Sequence, residues 1–348
     1  MPKKITATIN KDEFEDLFGF KEPSGLFSDH RFRLVINKFG RCYWLLAHDN
    51  LQGPRFSGNN VYYQGNNARL IRTLYPNAHR IVDIGANVGN NTIAYSEWAK
   101  KVEAFEPTPT TQIMLEANIE IAKKQNLQGD YWKGTDIEGG IYRDPTQKSG
   151  WFVYKGKHYS MNVVGDITVH KVALSNSDND NVEILDHTDH GGHNHILTDK
   201  DKLGKNKQIV TVPSKKLDSY NFDNVDAIKI DVEGAEFLVI QGAEQTIKTQ
   251  RPSVQVEIVP KQCELFGYKP QDLFDFFRDL DYVCVSSIRR PANSQQKKLW
   301  WGKNIGMQYF PVPKYMDRLF VPREVHESTD YQAINQTDNE FDNFFHRQ

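Results

Sequence analysis

The run Arg80-Ile81-Val82-Asp83-Ile84-Gly85-Ala86-Asn87-Val88-Gly89 decides how this chain reads. Its first half is a short apolar strand and its second half a small-residue turn. Over residues 90–101, Ile93, Ala94, Tyr95 and Trp98 recur at helical spacing. Val102-Glu103-Ala104-Phe105 is a second strand, closed by Glu106-Pro107. Residues 110–124 predict a second helix, with Thr110 or Thr111 as its cap. Strand, turn, helix, strand, turn, helix is the unit of a doubly wound, mostly parallel sheet. The expected fold class is therefore α/β, with a Rossmann-like domain.

Upstream, residues 1–75 read as an N-terminal extension. Residues 30–49 alternate loosely about Gly40, as a β-hairpin does, and residues 58–76 become helical and stop near Pro76. Downstream, residues 126–162 break the rhythm and read as an insertion, with a small hairpin around Trp151-Phe152-Val153-Tyr154. Residues 167–174 predict one strand, residues 187–208 a His-rich loop, and residues 209–212 a short edge strand. Residues 225–231 form a buried strand ending in an acid. Helices over 235–249 and 270–280, and strands over 252–258, 282–285 and 318–322, complete a domain spanning 76–325. Residues 326–348 are polar and acidic, a tail expected to be disordered.

The 348 residues can bury a sizeable core. A formal net charge of -2 sets up no global field for nucleic acid or an anionic membrane, and neither is an expected partner. No stretch approaches the roughly 20 apolar residues of a membrane helix. The opening MPKKITATINKDEFEDLF has basic residues with no apolar run behind them, unlike a secretory signal. Cys42, Cys263 and Cys284 are far apart and form no CxxC pair, so the expectation is a reducing compartment, the cytoplasm. No pattern sets an oligomeric state.

A glycine-rich turn between strand and helix lets a ligand approach a helix N-terminus closely. Only GxxxG is present here, short of the dinucleotide fingerprint GxGxxG. Glu106 sharpens the signal, because it lies 21 residues beyond Gly85 at the end of the next strand. An acid there can accept hydrogen bonds from a ribose diol, which both NAD and S-adenosylmethionine possess. The plainer alternative is that Glu106 caps the helix that follows.

Three further stretches narrow the choice: KKLDSYNFDNVDAIKIDVEGAEFLVIQGA, RPSVQVEI, and the AFEPTP that ends the second strand. With VDIGANVGNNT, and in the chain order VDIGANVGNNT, AFEPTP, KKLDSYNFDNVDAIKIDVEGAEFLVIQGA, RPSVQVEI over about residues 80–285, they resemble the FkbM family of methyltransferases. The resemblance implies a seven-stranded sheet of the class I methyltransferase type. It also implies S-adenosylmethionine as donor, S-adenosylhomocysteine as product, and a hydroxyl acceptor on a sugar, glycan or similar small molecule. Carried onto this chain, it implies that Asp83, Gly85, Asn87 and Gly89, with Asn90, hold the methionine moiety and the turn. Glu106, flanked by Pro107, would take the ribose diol, Ala173 and Leu174 would flank the adenine, and Asp231 would face the sulfonium.

A sugar hydroxyl needs a base or a metal to take its proton. Asp231 and Glu233 stand around a strand end and are the candidate bases, with Glu257 as an acid that positions the acceptor. Glu236 begins a helix and complements its dipole. His187, His190, His193 and His195 lie among Asp186 and Asp189 in a density that suits a metal, yet the Gly-rich spacing matches no zinc pattern. A lid loop is the preferred reading, with His190 as a candidate catalytic histidine, and no metal is expected. Basic residues and Trp300 and Trp301 in residues 287–303 suit a sugar or nucleic-acid strand, or simply a solvated loop. The rival functions are an NAD-dependent oxidoreductase on the same unit and a non-enzymatic binding protein.

Overall fold

The structure, a computed structural model, describes residues 7–18, 20–36, 42–49, 68, 71–72, 74–127, 141–143, 149–154, 157–162, 164–178, 180–189, 191–199, 201, 204–288, 300–304, 306–307 and 316–329. In chain order, β1 (Ala7–Ile9), β2 (Phe32–Ile36) and β3 (Cys42–Leu46) make a small antiparallel sheet. The hairpin expected there is the β2–β3 pair, with Ile36 opposite Cys42. Gly40 and most of residues 58–76 lie outside the described residues. β4 (Arg80–Ile84) and β5 (Lys101–Phe105) follow, then a second antiparallel sheet of β6 (Ile141–Arg143), β7 (Ser149–Tyr154) and β8 (Lys157–Asn162). After them come β9 (Asp166–His170), β10 (Ala173–Leu174), β11 (Asp180–His187), β12 (His195–Ile196), β13 (Lys207–Lys215), β14 (Val225–Ile230), β15 (Ser253–Ile258), β16 (Tyr282–Ile288), β17 (Trp300–Asn304) and β18 (Met316–Pro322).

The principal sheet has eight strands in the order β17-β16-β18-β15-β14-β4-β5-β9. From β15 to β9 every pairing is parallel, whereas β18 runs against both β15 and β16, and β17 against β16. The sheet is thus mixed, and one strand wider than the expected seven. The extra strand is β17, in a stretch whose basic composition hid any strand period.

Alternation along these strands divides the core into two layers. Ile81, Val102, Ala104 and Ala227 face one side, where they meet Ile93, Ala94, Tyr95, Met114 and Leu115 together with Trp44 and Leu45 of β3. Val82, Ile84, Phe105, Ile228, Ile230, Val254 and Val256 face the other, against Val239, Ile240, Ile247, Leu273, Phe274 and Phe277. Both faces are covered, so the strands read as nearly continuous apolar runs.

Several expected elements have different limits. The first helix is only Asn90–Ser96, and the second begins at a proline, Pro109–Leu127. Thr110 and Thr111 therefore lie inside it rather than capping it. The strand expected over 167–174 divides into β9 of the principal sheet and β10 of another, ordered β10-β13-β11-β12. In that sheet β13 lies between β10 and β11, with β10 paired only at Ser214 and Lys215, so residues 209–212 pair on one side. The single helix expected over 235–249 is two, Glu236–Gly242 and Glu244–Gln250. The break falls after Gly242, where any Cβ would come within 1.9 Å of the Ser175 carbonyl oxygen, so helix and β10 segment touch backbone to backbone. Residues Arg323–Ser328 are helical, which moves the start of any tail beyond residue 326. Among the described residues, no helix is long and apolar enough to cross a membrane.

Candidate functional site

The C-terminal ends of β4, β5 and β14 lie side by side, and the turns that leave them build the site. After β4 the chain turns left-handed three times, at Gly85 (φ 76), Asn87 (φ 50) and Gly89 (φ 89). The Gly85 and Ala86 amides both donate to the Phe105 carbonyl at 3.0 Å, which ties the turn to the tip of β5. A Cβ on Gly85 would lie 1.8 Å from the Asp231 carbonyl oxygen. The turn after β4 is therefore pressed against the tip of β14, and only a hydrogen fits between them.

Glu106 is 6% exposed. Its Oε2 accepts from the Asn87 amide at 3.0 Å and its Oε1 from the Thr108 amide at 2.9 Å. The capping reading of this residue is present, since it orders the start of the Pro109–Leu127 helix, and the same side chain is tied to the glycine turn. The Thr108 hydroxyl also donates to this carboxylate. Burial pushes its carboxyl up to about 7, against the pull of those two amides. Gln112 Nε2 donates to the carbonyls of Glu106 and Pro107, at 2.8 and 2.9 Å.

Asp83 is wholly buried beneath the turn. Its Oδ2 accepts from Thr92 Oγ1 at 2.5 Å, and its Oδ1 faces Lys229 Nζ at 3.5 Å. It holds the turn from below instead of opening on the crevice. Lys229 was not anticipated as a site residue. Its ammonium, 4% exposed, donates to the Gly85 carbonyl at 2.9 Å and sits 3.4 Å from Asp231 Oδ2. Burial lowers its proton affinity, but Asp231 and Asp83 more than offset this and raise it above the ordinary lysine value. The signal was available: a lysine stands between two isoleucines in the otherwise apolar Ala227-Ile228-Lys229-Ile230. A buried charge of that kind requires a partner.

Asp231 continues β14, its amide donating to the Ile84 carbonyl at 3.1 Å, and its side chain is 25% exposed. Glu233 is left-handed (φ 58), and its Oε2 accepts from Gln262 Nε2 at 2.6 Å. Glu257 lies on β15 opposite Asp317 of β18. Asp231, Glu233 and Glu257 offer oxygens within 4.8 Å of one another, close enough to share one cation. Without a cation, burial and the neighbouring Asp231 and Glu233 charges push the Glu257 carboxyl up to about 10.

The remaining expected site residues are less central. Asn90 is buried, its amide nitrogen donating to Asn91 Oδ1 at 3.3 Å. Ala173 and Leu174 are each 4% exposed and belong to β10, so they do not end a central strand. β9 ends instead at His170, which stacks on Phe105 at 4.4 Å and pairs through Nε2 with Glu103 at 2.8 Å. The His-rich segment is partly ordered by β11 and β12. The His187 amide donates to Asn194 Oδ1 at 2.8 Å, and Asn194 Nδ2 donates to Thr111 Oγ1 at 3.3 Å. His195 pairs with Asp201 at 3.0 Å, and His193 Nδ1 lies 3.9 Å from Glu233 Oε2. His190 lies outside the described residues.

The model of the methyltransferase FkbM domain family matches residues 83–284, more than half of the chain. The chain belongs to this family. The FkbM match begins at Asp83 under the first turn and ends at Cys284 in β16, so it takes in Glu106, Lys229, Asp231, Glu233 and Glu257. No curated protein matches the chain significantly. Among solved structures, it is similar to a methyltransferase FkbM from Methylobacillus flagellatus KT, at 14% identity and a TM-score of 0.36. That match covers 70% of this chain and only 44% of the other. It is also similar to an rRNA methylase from Streptococcus thermophilus, at 10% identity and a TM-score of 0.35, covering 76% and 98% of the two chains. TYW2 of M. jannaschii, solved in complex with AdoMet, shares 10% identity at a TM-score of 0.34, covering 84% and 85%.

Proposed function

We propose that this chain is an S-adenosylmethionine-dependent methyltransferase that methylates a hydroxyl of a sugar, glycan or similar polyhydroxylated acceptor. Its principal sheet is then a Rossmann-like sheet of the class I type, widened by β17. The observation that carries the reading is the assembly of the glycine turn, Glu106 and Asp231 on three adjacent parallel strands in a chain of the FkbM family.

The residues present fit the donor. Glu106 stands at the end of β5 beside the glycine turn, where its carboxylate can accept from a ribose diol. Asn87, Gly89, Asn90 and Pro107 would line the same cradle, and Asp83 with Lys229 holds it from beneath. S-adenosylmethionine supplies, when bound, a methyl group already activated on a sulfonium.

The chain's own task is to position an acceptor and remove its proton. Asp231 and Glu233 are the candidate bases, since both are partly exposed at the crevice. Glu257, whose carboxyl burial and the neighbouring Asp231 and Glu233 push up, would position the acceptor. Among the described residues, His193 approaches this group, facing Glu233.

Calorimetric titration with S-adenosylhomocysteine tests the reading. Wild type should bind, and Glu106→Ala should lose roughly 30-fold or more, the worth of charge-assisted bonds to the diol. No binding by the folded wild type overturns it. If Asp231→Asn and Glu233→Gln both bind cofactor and turn over a glycan acceptor like wild type, neither residue is the base.

A further inference from the structure

The turn that carries Asp231 and Glu233 stands in a conformation that side chains rarely adopt. Glu233 is left-handed at φ 58, and Gly234 follows at φ 120. A Cβ on Gly234 would meet the Phe266 ring at 2.7 Å. Something must hold this backbone in place, and the bonds point to one side chain. Glu236 is 2% exposed, and its Oε1 accepts from the Val232 amide at 3.2 Å and the Gly234 amide at 3.0 Å. Its other oxygen faces the Tyr268 hydroxyl at 3.0 Å, and that hydroxyl also lies 3.0 Å from the Gly234 carbonyl oxygen.

These distances set a proton count. A tyrosine hydroxyl has one proton and here faces two acceptors. Each contact is a full, unshared hydrogen bond only if Glu236 holds a proton of its own, donating to the Tyr268 oxygen while Tyr268 donates to Gly234. We propose that Glu236 and Tyr268 are positioning residues, a clamp on the Val232–Gly234 backbone that aims the Asp231 and Glu233 carboxylates and is complete only while Glu236 is protonated. The clamp stands on its own geometry, and only the use made of Asp231 and Glu233 rests on the function proposed above.

The surroundings place the change near neutral pH. Burial pushes the Glu236 carboxyl up to about 7, against the pull of the Gly234 and Val232 amides and Tyr268. The ionisable groups around it are Tyr268 and Cys263 from the segment packed on the turn, and Glu257 on β15. Asp231 and Glu233 lie on the turn itself. All of these are acids, and none favours a second negative charge. Above this range Glu236 ionises, Tyr268 turns its proton to it, and the Gly234 carbonyl loses its donor.

Amide hydrogen exchange on the full chain, at pH 6 and pH 8 and corrected for intrinsic rates, tests the clamp. The variants are Glu236→Gln, Glu236→Ala and Tyr268→Phe, and S-adenosylhomocysteine affinity is measured on the same samples. Wild type should lose protection at residues 231–235 by about tenfold from pH 6 to pH 8, the worth of one hydrogen bond. Glu236→Gln, a permanent mimic of the protonated form, should keep protection at both pH values. Glu236→Ala and Tyr268→Phe should lose it at both, while the β4 amides stay protected. Cofactor affinity should follow protection from variant to variant. A wild type whose protection is flat with pH, or a Gln variant that behaves like the Ala variant, overturns the proposal. If Glu236→Ala does not fold, the Gln and Phe variants decide. If wild type binds no S-adenosylhomocysteine, the cofactor reading fails while the exchange data still judge the clamp.

Discussion

The turns after β4 and β14 solve one problem by different means. Each bends left-handed at a residue that is not glycine, Asn87 in one and Glu233 in the other. Each is held by a buried carboxylate that accepts from two backbone amides and whose proton affinity is pushed up to about 7. The difference is where the carboxylate comes from. Glu106 reaches in from the end of the neighbouring strand and ties two segments, the turn after β4 and the start of the Pro109–Leu127 helix. Glu236 comes from the turn's own helix and is closed off behind it by Tyr268. The first arrangement suits a ligand, the second a frame. Lys229 joins them, touching Gly85 of one turn and Asp231 of the other.

The sharpest way to break this comparison is at the backbone contact. Gly85→Ala meets the Asp231 carbonyl at 1.8 Å and a positive φ, and Asp231 cannot retreat while its amide is bonded to Ile84. A loss of about 3–6 kcal/mol in urea denaturation is expected. A fully stable variant would show that the two turns do not press together. Lys229→Met comes next. It leaves Asp83 and Asp231 without their cation, and it should cost about 3–5 kcal/mol by the same measurement. A smaller loss than a surface substitution would give removes Lys229 as the tie between the turns.

Titration compares the two carboxylates directly. Both native values lie near 7 and both unfolded values near 4.5, so the native state holds more protons between those limits. Stability contributed by each group is present below about pH 4.5, falls as pH rises through the window by up to about 3 kcal/mol, and is level above it. Glu106→Gln and Glu236→Gln should each remove one share of this slope between pH 5 and pH 7.5. A slope unchanged in both variants would place it elsewhere. Gly234→Ala should have the smallest effect, about 1–3 kcal/mol, because its added methyl meets the Phe266 ring and not a backbone carbonyl. A cost equal to that of Gly85→Ala would mean that the frame is as rigid as the cradle.

The glycine turn was legible because it is local. Gly85, Gly89 and the acid at the end of the next strand sit at fixed spacings, and a βαβ unit carries such spacings into space with little freedom. The strands β4, β5, β14 and β15 were legible for a similar reason, since a strand buried on both faces writes itself as an apolar run. What could not be read depended on contacts between segments distant in the chain. Gly242 has no room for a side chain because the Ser175 carbonyl passes against it. Ala173 and Leu174 leave the central sheet because β13, some forty residues on, pairs with them. Thr110 and Thr111 bond the His-rich segment and not their own helix end. Glu236 looked like a helix-start acid because its second partner, Tyr268, is 32 residues away. Local spacing and apolar periodicity set the strands and the glycine turn, since both act over a few residues. The buried charges were set by tertiary packing, since a carboxylate or ammonium removed from water takes its proton affinity and its role from whichever distant groups the fold brings within a few ångströms.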